Sequence, residues 1–171
     1  MQDNNNPYQT PSSEPTAEPN DSNATLASRW KRLFGALIDT LVQVTIVGPF
    51  LYFSGAWNEM IQQGGTLSLE ETLTWFIIGE VAFLAAQGYL LFNRQQTVGK
   101  WLLNMKITGM VDSKVPAGKL FGIRYFLMHV LAQIPGANLL LMADPLLIFR
   151  KDKRCLHDLL AGTQVVDLKT A

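Results

Sequence analysis

Ionisable side chains lie inside apolar stretches of this sequence, where burying a charge costs free energy and therefore indicates a role for the residue. Besides Arg124, they include Asp39 in a first stretch (33–53), Glu80 in a second (72–92), and His129 and Asp144 in a third (120–149). A charged side chain at the centre of a bilayer costs about 2.5–3.5 kcal/mol on insertion scales, and such side chains face the interior of a helix bundle. We therefore take these four residues as candidate functional groups.

Two kinds of chemistry fit such groups. In the first, Asp39 and Glu80 bind a proton or coordinate a cation during transport across a membrane. In the second, the polar groups hold the helices together by hydrogen bonds. Asp39 then pairs with an arginine such as Arg124, and Glu80, which has no evident basic partner at its depth, stays protonated. For His129 the sequence favours a plain interhelical hydrogen bond. The sequence leaves both readings open.

Distances along the helices predict one polar layer. Counting about 1.5 Å per residue from the polar end of each stretch gives about 10 Å for Asp39, about 9 Å for Asp144 and Gln87, and about 8 Å for His129. Antiparallel segments would bring these four side chains to one level, with Glu80 deeper. Arg32 lies on the Asp39 face of the first helix, because the two are seven residues apart.

The three stretches predict an all-α, polytopic transmembrane helix bundle. About 20 apolar residues cross a hydrocarbon core of about 30 Å, so the first two stretches are one crossing each. In the third, Pro135, Gly136 and Asn138 are strong helix breakers. We interpret 120–149 as two segments forming a helical hairpin, which gives four segments in total. A single crossing and a re-entrant segment are the alternatives.

Basic residues set the expected orientation. They cluster at 29–32, between 94 and 119, and at 150–154, whereas the loop 54–71 contains none. Cytoplasmic loops carry the excess of Lys and Arg. The pattern predicts a multi-pass protein with both termini in the cytoplasm. A single crossing by 120–149 would place the last cluster outside, and the hairpin avoids this.

The remaining segments are polar. Residues 1–27 are rich in Asn and Pro and contain four acidic and no basic residues. This composition cannot bury enough apolar surface to fold, and it predicts a disordered cytoplasmic tail. Residues 168–171 form a short C-terminal tail. Residues 93–119 alternate lysines with apolar residues and predict a short amphipathic segment or β-hairpin on the cytoplasmic face.

Other classes of function find little support in the sequence. The formal net charge is zero, which argues against a nucleic-acid partner. Cys155 is the only cysteine, so no intrachain disulfide forms. His157 stands beside Asp158, which is not metal-ligand spacing. No nucleotide-binding loop or serine-nucleophile motif is present. We therefore expect no enzyme activity, catalytic residue, cofactor or metal, and the lipid bilayer as the main partner.

Three motifs together resemble the RDD family of small bacterial membrane proteins, named for one arginine and two aspartates. "RLFGALID" gives Arg32 and Asp39, "QTVGKWLLNMKI" (96–107) resembles the family's stretch after the second helix, and "RCLHDLLAGTQVV" (154–166) gives Asp158 as the second aspartate. The resemblance covers roughly residues 27 to 167. We therefore expect the transmembrane domain to span residues 28–167.

The resemblance implies a multi-pass protein of the bacterial plasma (inner) membrane. Transport is the usual suggestion for the family, including cation/proton exchange for some members. It also implies that Asp158 pairs with Arg32 and closes the inner end of the bundle. We therefore expect transport of a small ion or solute, with cations or protons as partners, by a possible homo-oligomer. The alternative is a non-transporting scaffold or accessory protein of another membrane complex.

Overall fold

The computed structural model describes residues 25–62, 64–65, 67–134, 136–137, 141 and 144–168. It contains two long helices, α1 (Arg29–Phe53) and α3 (Leu69–Arg94), with the short helix α2 (Ala56–Gln62) between them in sequence. Gln43 of α1 contacts Gly79 of α3, and Asp39 contacts the segment just after α3. The two long helices are therefore antiparallel.

Side-chain caps explain where the long helices begin. The Ser28 hydroxyl accepts a hydrogen bond from the Lys31 N–H at 3.2 Å and starts α1. Ser68 and Glu71 form a reciprocal capping box that starts α3. Caps of this kind satisfy backbone N–H groups that have no partner inside the helix. Both helices begin earlier than the apolar stretches predicted, because their first turns are polar.

The outer surfaces of α1 and α3 are apolar and uncovered. The structure describes two helices long and apolar enough to cross a membrane, and only 6% of the most apolar window of α1 and 22% of that of α3 are buried. Core helices of a water-soluble protein would be mostly buried. Leu41, Phe53 and Val81 are 64%, 84% and 61% exposed. Such surfaces match hydrocarbon better than water, since large contiguous apolar patches are rare on soluble proteins.

The third apolar stretch is less regular than expected. It begins as a π-helical segment (Gly118–Phe126), continues as α5 (Leu127–Ala132) and resumes as a 3-10 helix (Pro145–Phe149). Two of the predicted hairpin breakers, Pro135 and Asn138, lie outside the described residues. The segments before and after them are shorter than the about 20 residues of a full crossing.

A small cap closes the end of the bundle where α1 begins. It consists of α4 (Val98–Leu102), α6 (Leu156–Ala161) and a two-stranded antiparallel sheet of β1 (Met105–Gly109) and β2 (Thr163–Asp167). The register pairs Met105 with Asp167 and Gly109 with Thr163. We call this unit the cap, and we call the end of the bundle that it covers the capped end. The predicted β-hairpin within 93–119 is wrong, because β1 finds its partner at the end of the domain.

The cap contains much of the buried core. Ile107 and Val165, which face each other in the sheet, are almost fully buried and cluster with Leu91 and Leu120. Residues 25–27 join the cap too: Leu26 bridges to Val166, and Ala27 is fully buried. The packed domain therefore begins before residue 28, and residues 1–24 of the predicted tail lie outside the described part of the chain. At the other end, the Leu168 N–H bonds to the Asn104 carbonyl.

Candidate functional site

Asp39 fastens α4 to the first long helix. Its Oδ1 accepts the Gly99 backbone N–H at 2.7 Å, and its Oδ2 accepts the Thr97 hydroxyl at 2.6 Å. The Lys100 ammonium lies 3.6 Å from Oδ2. Both carboxylate oxygens are thus occupied, and the carboxylate acts as a charged cap for the first turn of α4. The predicted pairing of Asp39 with Arg124 is wrong.

Glycines allow the close contact that Asp39 requires. A Cβ on Gly99 would collide with the backbone carbonyl of Gly35. A Cβ on Gly35 would crowd the Met105 Cε, at 2.9 Å, but would lie at ordinary contact distance from the Gly99 carbonyl, at 3.6 Å. Since the side chains are absent, α4 lies directly against α1. Gly99 and Lys100 resemble a fragment of a nucleotide-binding loop, but they have other roles here. Gly99 packs against α1, and Lys100 places a positive charge near Asp39.

Asp158 is the centre of a second network, at the capped end. Although it is fully buried, it forms ion pairs with two buried arginines, Arg32 of α1 and Arg124 of the π-helical segment. Thr163 donates to Oδ1 at 3.1 Å, and the Cys155 N–H donates to Oδ2 at 3.3 Å. One carboxylate therefore joins the first helix, the third apolar stretch and α6.

The charges around Asp158 keep it ionised. Burial alone would raise the pKa of this carboxyl, but the charges of Arg124, His157 and Arg32 outweigh burial and hold the pKa well below its ordinary value. The Asp158 carboxylate is unsuited to carrying protons near neutral pH, since a carboxylate with such partners stays charged. Its pairing with Arg32 is the one that the family resemblance implied.

Asp144 and His157 form a third pair beside that network. The His157 backbone N–H donates to Asp144 Oδ1 at 3.2 Å, and the ring Nδ1 lies 2.7 Å from Oδ2. Burial, with the Arg124 charge, lowers the pKa of His157. Asp144 thus contacts α6. The sequence predicted one polar layer that contains Asp144, Asp39 and His129, but the three side chains contact different partners.

The Cys155 thiol lies next to the pair of Asp144 and His157. Together they form the only three-residue group of possible metal ligands within the described residues. Ligand atoms of Asp144, Cys155 and His157 lie within 4.8 Å of one another, a donor set that zinc accepts. However, both Asp144 oxygens already accept hydrogen bonds from His157, and Arg32 contacts the Cys155 Sγ at 3.8 Å. Burial raises the pKa of the Cys155 thiol to about 11. A metal ion would have to displace these contacts and deprotonate the thiol.

Glu80 meets His129 halfway along α3. Glu80 Oε1 and His129 Nδ1 are 2.5 Å apart, and the His129 ring packs edge-on against Phe83, with 5.4 Å between centroids. The contact joins α3 to α5, as expected for an interhelical hydrogen bond of His129. The expectation that Glu80 has no basic partner is wrong, because the third apolar stretch brings His129 to its level.

A cavity of about 820 Å³ reaches three of these groups: Asp39, the pair of Glu80 and His129, and His157. Its walls come mainly from α1, α3, the π-helical segment and α5, and it extends from Leu67 beyond one end of the bundle to His157 at the capped end. The polar residues on its walls include Asp39, Thr40, Gln43, Glu80, Gln87, Lys100, His129 and Gln133. The cavity runs past Thr72 and Gln87 of α3, about 22 Å apart at 1.5 Å per residue.

The predicted residues therefore fall into two groups. Glu80 and His129 line the cavity and contact each other, whereas Arg32 and Asp158 close the capped end with Asp144 beside them. Asp39 lies on the cavity wall but is bound to α4. Lys100 and Gln43 line the same cavity but were not among the predicted site residues. Gln43 follows Asp39 by about one helical turn, and this spacing already placed it on the Asp39 face of the first helix.

Comparison with known proteins gives one finding. The model of the family described as the RDD family matches residues 26–162, which contain α1, α3, α4 and α6. No curated protein and no solved structure matches the chain.

Proposed function

The chain belongs to the RDD family of membrane proteins, and from that premise we propose that it transports a small cation through the cavity between α1, α3 and α5. The observation that supports this most is the pair of Glu80 and His129 on the cavity wall. Ionisable residues inside membrane segments mark the paths of ions and protons. Exchange of the cation for a proton is the sharpest form of the proposal.

We assign different tasks to the two carboxylates that the sequence offered as carriers. Asp39 uses both oxygens to hold α4, so we propose a structural role for it. Glu80 contacts one ionisable partner, His129, and has a second oxygen without a partner among the described residues. Glu80 is therefore the proposed carrier residue.

We further propose a four-segment arrangement with both termini in the cytoplasm of a bacterial cell. Arg124 and Asp144 both contact α6 at the capped end, while His129, between them in sequence, contacts Glu80 in the middle of α3. The chain therefore leaves the capped end and returns to it, which supports a hairpin. Labelling of Lys151→Cys by an impermeant thiol reagent from outside intact cells would refute this orientation.

Vesicle flux tests the transport proposal. Purified protein in vesicles that enclose a pH-sensitive dye should report a proton flux when Na⁺, Li⁺ or K⁺ is added outside. Glu80→Gln should abolish the flux, whereas Glu70→Gln, a change to an exposed acid on the same helix, should leave it unchanged. Equal signals from empty vesicles would end the proposal.

A non-transporting scaffold is the second candidate. Exposed lysines around the capped end, Lys114, Lys119 and Lys151, would suit an acidic partner protein. Stable copurification with one membrane protein, together with the absence of flux, would favour this reading. Neither proposal includes a catalytic step or a cofactor.

A further inference from the structure

Two carboxylate or amide oxygen atoms of cavity-lining residues have no hydrogen-bond donor within the described part of the chain. They are Glu80 Oε2 and Gln43 Oε1, and both are closed to water. The other polar atom of each group is fixed: Glu80 Oε1 lies against His129 Nδ1, and Gln43 Nε2 donates to the Gly79 carbonyl at 2.9 Å. Buried acceptors without partners are rare in folded proteins, because their lost hydration is not replaced.

The orientation of the Gln43 amide follows from its neighbour. A carbonyl oxygen can only accept, so the Gly79 carbonyl requires the amide nitrogen rather than the amide oxygen. Gly79 directly precedes Glu80 in α3. The contact thus holds the Gln43 oxygen beside the part of α3 from which Glu80 projects.

The geometry points to a binding site for a dehydrated monovalent cation, with Glu80 Oε2 and Gln43 Oε1 as two of its ligands. This inference rests on the proposed function, since it names the place where the transported ion binds. Carboxylate and amide oxygens are ligands of hard cations. A carboxylate and a neutral amide bring one negative charge, which one monovalent ion balances. A divalent ion would leave a net charge in a poorly solvated place.

Size and surroundings narrow the choice of ion. Because water does not reach either oxygen, the site suits an ion smaller than a water molecule, such as Na⁺ or Li⁺, better than K⁺. Tyr125 also lies on the cavity wall, but the centre of the Tyr125 ring lies 5.8 Å from the Arg124 guanidinium carbon. That positive charge repels a cation, so we leave Tyr125 out of the site. His129 is a positioning residue that orients the Glu80 carboxylate.

Equilibrium stabilisation tests the site without any flux. The full-length protein in lipid nanodiscs is heated in Na⁺, Li⁺ or K⁺ chloride, with N-methylglucamine chloride holding the ionic strength constant. A ligand that binds only the folded state raises the unfolding temperature. We expect Na⁺ and Li⁺ to raise it more than K⁺. Glu80→Gln and Gln43→Leu should each remove the increase, and the control Gln133→Leu, in the same cavity, should keep it.

The outcomes separate this inference from the transport proposal. Wild-type flux without cation-dependent stabilisation, or equal stabilisation in Gln43→Leu and wild type, would overturn the site and leave transport standing. The opposite result would support the site and overturn transport. In that case Na⁺ stabilises the wild type but neither Glu80→Gln nor Gln43→Leu, and the wild type shows no flux. If Gln43→Leu does not fold, Gln43→Asn should weaken the stabilisation, because its shorter side chain withdraws the oxygen.

Discussion

Asp39 and Glu80 look alike in the sequence but differ in the structure. Each is an acid inside an apolar helix, and each side chain is largely buried, at 17% and 12% exposure. The two oxygens of Asp39 hold a neighbouring turn, whereas Glu80 shares one oxygen with a histidine. Both residues stand out in the sequence as acids inside apolar stretches. Their roles could not be predicted from the sequence, because their partners lie 49 or more residues away along the chain.

Replacement of Asp39 by Asn should destabilise the fold. The asparagine side chain would offer one acceptor where the carboxylate offers two, and its amide nitrogen would face a donor, the Thr97 hydroxyl or the Gly99 N–H. Hydrogen bonds to charged groups contribute about 1.5–3 kcal/mol. We expect Asp39→Asn to lower the free energy of unfolding by about 2 kcal/mol, measured by denaturation in detergent. Asp112→Asn, at an exposed site, is the control. Equal stability of the two variants would contradict the role of Asp39.

Asp158 should give the largest stability effect of the predicted site residues. Asp158→Asn leaves two buried guanidinium groups without their carboxylate, and breaking a buried pair costs about 3–5 kcal/mol. Unfolding by denaturant in detergent measures the loss. Asp152→Asn, which loses an exposed pair with Arg150 at 3.5 Å, should cost less than about 1 kcal/mol. A loss at Asp158 as small as that at Asp152 would show that the network is not a structural centre.

The same variant gives a pH test with a definite sign. Since the pKa of Asp158 is lower in the folded state, its contribution to stability is present above the unfolded pKa of about 3.9. It is lost as the pH falls toward the folded pKa. The stability difference between wild type and Asp158→Asn should therefore be constant at neutral pH and shrink below about pH 4. A difference that grows on acidification would contradict this assignment.

At the scale of elements, the packing of α4 against α1 depends more on Gly99 of α4 than on Gly35 of α1. A methyl group on Gly99 meets the Gly35 backbone, which cannot move without shifting α1, whereas a methyl on Gly35 meets the flexible end of Met105. We expect Gly99→Ala to cost about 1–3 kcal/mol and Gly35→Ala to cost less, since methionine adapts easily. Thermal unfolding in detergent measures both. The reverse order would mean that α4 does not pack as described.

Helices were easier to predict than the cap. Long apolar stretches required α1 and α3, and the capping residues explain their first turns. The strand β1 was visible as alternating residues, but its partner lies 54 or more residues later, beyond the reach of local patterns. The contact of His129 with Glu80 was likewise missed because its level depends on an irregular π-helical segment.

At the scale of the whole molecule, polarity is reversed relative to a water-soluble protein. Apolar side chains cover the outside of α1 and α3, and ionisable groups line the cavity between the helices. The sequence predicted this partition from the cost of charge in lipid. The cavity itself could not be predicted, since its shape comes from helix packing rather than from any motif.

Cysteine accessibility tests this partition most directly. In a Cys155→Ser background, single cysteines are placed on the cavity wall (Ala36→Cys, Ala132→Cys) and on the outer surface (Leu41→Cys, Val81→Cys). The reconstituted protein is treated with a water-soluble thiol reagent, because only hydrated thiols react readily. The account predicts labelling at Ala36→Cys and Ala132→Cys and protection at Leu41→Cys and Val81→Cys. Labelling of the outer positions with protection of the cavity positions would contradict it.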